Sequence, residues 1–125
     1  YSDLISKCRV KAINLVNHHL QKNGFDNVRS ISVDYPDSLY DIECQHESKK
    51  NFFIVYATST KNKKVVMSID KINFLNIFPN NVKIALVTNV FDDARIFIFS
   101  SKQYAETKKQ IRSISVDYSS TLEDE

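Results

Sequence analysis

Apolar residues recur every three or four positions over 4–23. Leu4, Cys8, Val10, Ala12, Ile13, Val16 and Leu20 predict the buried stripe of an amphipathic helix. Ser2 or Asp3 caps its start, and Lys7, Arg9 and Lys11 form its solvated side. Gly24 stands where a left-handed residue ends such a helix, with Phe25 folding back on the last turn. The period then shortens to two. Over 28–35, Ile31, Val33 and Tyr35 alternate with Ser30, Ser32 and Asp34, as in a half-buried strand. Pro36-Asp37-Ser38 predicts a turn, 39–44 a second strand and 46–50 another turn. Residues 52–57 are apolar on both faces, which places them at the centre of a sheet. A basic turn at 61–64 leads to a short strand at 65–67. Ser68 then caps a second helix that buries Ile69, Ile72, Phe74, Leu75 and Phe78. Pro79-Asn80-Asn81 stops it. Strands at 82–88 and 95–100 follow, joined by a turn at Phe91-Asp92-Asp93, and Ser100 or Ser101 opens a last helix to about residue 110.

Length and composition narrow the function classes. A chain of 125 residues makes one domain, expected here over 1–118 with an acidic, flexible tail at 119–125. It opens at Tyr1 rather than Met, which predicts a piece of something longer. A net charge of +2 does not by itself specify a nucleic-acid partner. No apolar run is long enough to span a bilayer, so no membrane partner is expected. The two cysteines, Cys8 and Cys44, predict reduced thiols of an intracellular protein, cytoplasmic or nuclear. His18, His19 and His46 do not combine with them at zinc-ligand spacing. Gly24 is the only glycine, which excludes a phosphate-binding loop or dinucleotide turn built from several.

Weaker signals have simpler structural readings. Ser68-Ile69-Asp70-Lys71 fits an acyl-transfer motif but reads better as a helix cap. Phe52, Phe53 and Tyr56 echo a base-stacking platform but read better as core. Arg95 begins a strand and could reach a binding cleft, but reads better as an edge charge. The heptapeptide Arg29-Ser30-Ile31-Ser32-Val33-Asp34-Tyr35 recurs unchanged as Arg112-Ser113-Ile114-Ser115-Val116-Asp117-Tyr118, which predicts a second strand.

The candidate chemistry centres on Tyr40-Asp41-Ile42-Glu43, a strand with two carboxylates, set before the apolar strand Phe52-Phe53-Ile54-Val55-Tyr56-Ala57-Thr58. The predicted order of helix, three strands, short strand, helix and two strands resembles the core of the PD-(D/E)XK nuclease superfamily. Over about residues 5–100 it is most similar to the domain found at the C-terminus of plant NO VEIN proteins and in bacterial restriction and defence proteins. Gly24-Phe25-Asp26-Asn27-Val28, Leu39-Tyr40-Asp41-Ile42-Glu43 and Val66-Met67-Ser68-Ile69-Asp70-Lys71 carry the likeness beside the central strand. The resemblance implies a restriction-endonuclease-like α/β fold, a mixed sheet of about five strands flanked by helices. It also implies a centre where an aspartate and a glutamate hold Mg²⁺ and a lysine adds positive charge. Asp41 matches the aspartate. Val55 stands at the glutamate position and Ala57 at the lysine position, and neither can do that chemistry.

The expectation is a pseudoenzyme: a nuclease-like module, without catalytic residues, metal or cofactor, that binds nucleic acid, as DNA, within a larger protein of restriction or defence. Asp41 and Glu43 are its residual acidic positions, and Lys49, Lys50, Lys61, Lys63, Lys64 and Lys71 its phosphate contacts. One alternative is an interaction module that joins a partner or a second copy of the chain through an edge strand or the repeated segment. The other is an active nuclease in which Asp41 and Glu43, projecting from one strand face, form a substitute pair and Lys71 replaces the lost lysine. Mg²⁺ enters only there.

Overall fold

The computed structural model describes residues 2–61, 64–104 and 115–117. The elements are α1 (Ser2–Lys22), β1 (Asp26–Ser30), β2 (Ile42–His46), β3 (Lys49–Ala57), β4 (Lys64–Val66), α2 (Ile69–Ile77), β5 (Val82–Thr88), β6 (Arg95–Ser100) and β7 (Ser115–Asp117). A five-stranded mixed sheet runs β1-β2-β3-β5-β6, and β4 pairs with β7 in a separate two-stranded ribbon. Only β3 and β5 are parallel, so the chain crosses between them through β4 and α2.

The two central strands alternate between two cores. Phe53, Val55, Ala85 and Val87 pack under α1 with Cys8, Ala12, Ile13, Val16 and Leu20. Ile54, Val82, Ile84 and Leu86 pack on the other face with Ile72 and Leu75 of α2. This double burial is why residues 52–57 show no polar alternation. The α1 stripe is narrower than its hydrophobic pattern suggests. Val10 lies two residues from Cys8, on the far side of the helix, and is exposed, while Leu4 extends the stripe but overhangs the sheet. At the helix end Gly24 has φ +85° and Phe25 N–H donates to the Leu20 carbonyl at 3.1 Å, as a left-handed stop requires.

Several expected boundaries move. The strand at 28–35 ends at Ser30, and the chain turns, with Asp34 and Tyr35 N–H both donating to the Ile31 carbonyl. Ile31 is buried there, whereas Val33 and Tyr35 face solvent. The second strand starts at Ile42 rather than residue 39 and runs to His46. The turn expected over 46–50 shrinks to Glu47 and Ser48, both at positive φ, so Lys49 and Lys50 lie in β3. Of the residues expected to be buried on α2, Ile72 and Leu75 are. Phe74 is partly so, stacked near Tyr40 and Phe52, and Ile69 and Phe78 are exposed because α2 touches the sheet along one narrow line. Ser68 caps α2, its Oγ accepting from Lys71 N–H.

Ser115–Asp117 does form a strand, antiparallel to β4. Residues 101–104 are helical; the remainder of the helix expected to about residue 110 and the tail expected at 119–125 fall outside the described residues. Among the described residues no helix is long and apolar enough to cross a membrane.

Candidate functional site

Asp41 sits one residue ahead of β2 and its side chain is 2 % exposed. A carboxylate so buried needs a donor for every oxygen. Arg9 of α1 donates an N–H to Oδ1 at 2.6 Å, and Ser32 Oγ–H donates to the same oxygen at 2.6 Å. The Val55 backbone N–H donates to Oδ2 at 2.7 Å. The Asp41 main chain is held as firmly, its N–H donating to the Phe53 carbonyl and its carbonyl accepting from Ile31 N–H, each at 2.8 Å. One side chain thus ties α1, the turn after β1 and β3 together.

Glu43 lies in different company. It is paired with Arg29 at 3.5 Å and Lys50 at 3.4 Å, beside Asn27 and Gln45. Asp41 and Glu43 share no partner and do not form a carboxylate pair. The donor set does not suit Mg²⁺: both Asp41 oxygens are engaged by N–H and O–H donors, and Val55 and Ala57 bring no side-chain oxygen. Among the described residues no cluster of three His, Cys, Asp or Glu could hold a metal ion.

Beside this joint, at the C-terminal end of β3, opens a cleft of about 420 Å³. α1 supplies Leu4, Ile5, Cys8 and Arg9, β3 supplies Val55, Tyr56 and Ala57, the following loop Thr58, Ser59 and Thr60, and α2 supplies Lys71. The lining carries two cations and no carboxylate. Lys71 Nζ lies 5.5 Å from the centre of the Tyr56 ring, and Lys71 has no ion pair among the described residues. The Tyr56 hydroxyl is buried with no hydrogen-bond partner among the described residues, and burial, then the nearby Asp41, push its pKa upward. Asn89 N–H donates to the Thr60 carbonyl at 2.7 Å and Val90 N–H to that of Thr58 at 3.1 Å, which fixes the loop against the end of β5. Lys61 is carried by that loop into a second hollow with Thr88, Asn89, Asp93 and Arg95.

The structure therefore separates the expected lysines. Lys61 and Lys71 lie around the C-terminal end of β3. Lys49 and Lys50 lie at its start, roughly 23 Å away along the strand, where Lys50 is paired with Glu43. Lys64 begins β4, and Lys63 falls outside the described residues. Two contributors do not stand out in the sequence: Arg9 reads as a solvated helix charge and Ser32 as a strand residue, whereas Arg95 is an edge charge placed where it could reach the cleft. The only hint was that Arg9 directly follows a buried helix position. Compared with known proteins, the chain matches no family profile, no characterised protein and no solved structure.

Proposed function

We propose that this chain is a restriction-endonuclease-like domain whose former catalytic position serves as a structural joint, and that it binds DNA as one module of a larger protein. The mixed sheet with a helix on each face supports the fold reading. The internal use of Asp41, with Val55 and Ala57 beside it, supports the loss of hydrolysis. The observation that carries the binding reading is the gathering of Arg9, Lys61, Lys71 and Arg95 around one end of β3, next to the hydroxyl-bearing loop Thr58-Ser59-Thr60. Cations and hydroxyls spaced along one edge of a rigid sheet are what a phosphate backbone is held by, and such groups position the nucleic acid without reading its sequence.

Fluorescence anisotropy with a labelled DNA duplex tests this. Affinity is expected to fall steeply with salt. Lys61→Glu with Arg95→Glu should weaken it and flatten the log–log salt slope by about 0.9 for each phosphate no longer neutralised. No binding at low salt, or equal binding by the double variant, overturns the proposal. Mg²⁺-dependent cleavage that disappears in Asp41→Ala overturns its non-catalytic half.

A further inference from the structure

We infer that the open edge of β3 is a docking groove for an extended acidic segment of a partner protein, which adds to the sheet as a short strand. β2 stops short of the end of β3: Ile42 pairs with Phe53, and β3 continues to Ala57. Over those last residues β3 has, among the described residues, a neighbouring strand on one side only, β5. Hydrogen bonds show which groups face which side. Phe52 and Thr58 N–H go to the β5 side, to the carbonyls of Asn81 and Val87, whereas Val55 N–H points the opposite way, to Asp41. By strand alternation the Ala57 N–H and the carbonyls of Val55 and Ala57 also face the open side. Asp41 caps only the first of these groups and so marks where an added strand begins. The remaining edge is the pattern that strand addition completes.

The groove walls select the occupant. Leu4 and Ile5, 51 % and 54 % exposed, offer an aliphatic surface on the α1 side. Arg9 gives one terminal nitrogen to Asp41, leaving its other guanidinium donors for a ligand, and Lys71 is unpaired among the described residues. Asp41 offsets the charge of Arg9 at the inner end of the groove, so Lys71 leaves the groove net positive, and charge complementarity calls for a carboxylate on the incoming strand. The volume of about 420 Å³ is that of a site for a short segment. This inference goes beyond the DNA reading. It shares Arg9 and Lys71 with that reading but depends in addition on the β3 edge and the aliphatic α1 wall, whereas the DNA reading is tested at Lys61 and Arg95.

The test titrates the full chain, isotope-labelled, with the acetylated peptide Gly-Val-Leu-Glu-Val-Glu-Gly and with its glutamine counterpart. Saturable binding is expected, weaker by about tenfold or more for the glutamine peptide, with the Ala57 amide protected from hydrogen exchange in the complex. Ile5→Glu, on an exposed wall, is expected to abolish that protection, and Ala57→Pro, which removes the edge donor, is expected to abolish saturable binding. Lys61→Glu with Arg95→Glu should leave both in place. Absence of saturable binding, binding without Ala57 protection, or a single-stranded oligonucleotide that protects Ala57 in place of the peptide overturns the inference.

Discussion

A buried carboxylate persists only when its oxygens are paired, and Asp41 meets that condition with donors from Arg9, Ser32 and Val55. Removing it strands two buried donors and frees a cation that water can solvate, since Arg9 is 46 % exposed. Asp41→Ala is expected to destabilise the fold by about 2–4 kcal/mol, and Arg9→Ala by a comparable amount because it leaves the buried carboxylate without its counter-charge. Urea unfolding measures both, and an unchanged midpoint for Asp41→Ala would show that the joint holds nothing. Cys44 illustrates the same physics for a thiol. Burial pushes its pKa up to about 11, opposed by Lys83 and assisted by Glu43. Its folded-state pKa lies above the ordinary thiol value of 9.0, so its stabilising contribution is complete below pH 9 and is lost as pH rises towards 11. Lys83, its pKa lowered by burial, contributes in the opposite sense over part of that range, and Tyr56, its pKa raised, begins to contribute there too. The clean measurement is therefore the stability difference between the native chain and Cys44→Ala, which should narrow from pH 9 to pH 11.

At the scale of elements, helices and strands were legible where one face was buried or both were. The α1 stripe, its stop at Gly24, the cap at Ser68 and the apolar β3 all follow from local pattern. Boundaries went astray where a side chain competed with the ladder. The alternation over 28–35 is genuine, yet the Ser32 hydroxyl is drawn to Asp41 and the chain bends there. The β2–β3 hairpin is a sharper case. Glu47 and Ser48 occupy positive φ (52° and 67°), although Asn-Gly is the pair that suits such a turn. Replacing Glu47→Asn and Ser48→Gly together is expected to stabilise the domain by about 1 kcal/mol, because both backbone angles become unstrained. Thermal unfolding checks it, and a lowered midpoint would mean that the two native side chains contribute more than the strain they carry.

For the molecule as a whole, the hydrophobic code was sufficient to specify an α/β domain with β3 at the centre of a sheet flanked by helices; which helix covers which face came from the structure. Periodicity records how many faces of an element are buried, and that is a local property. The site was only half legible. Asp41 stood out by type, and Lys61 and Lys71 by charge, but their relations are long-range. Arg9 reaches Asp41 across 32 positions of sequence, and the length of β3 keeps Lys50 apart from Lys61. The repeated heptapeptide makes the division plain. Ser32-Val33-Asp34 forms a turn, while the same residues at Ser115–Asp117 form a strand against β4. Identical local propensities cannot choose between those outcomes; for the first copy the hydrogen bond to Asp41 decides, and for the second the pairing with β4 does. Sequence alone determined which segments are apolar, with what period, and where glycine and serine must end or begin a helix. Tertiary structure decided which carboxylate is internal, which cations converge and which strand edge stays open, because each depends on groups that meet only after the chain has folded.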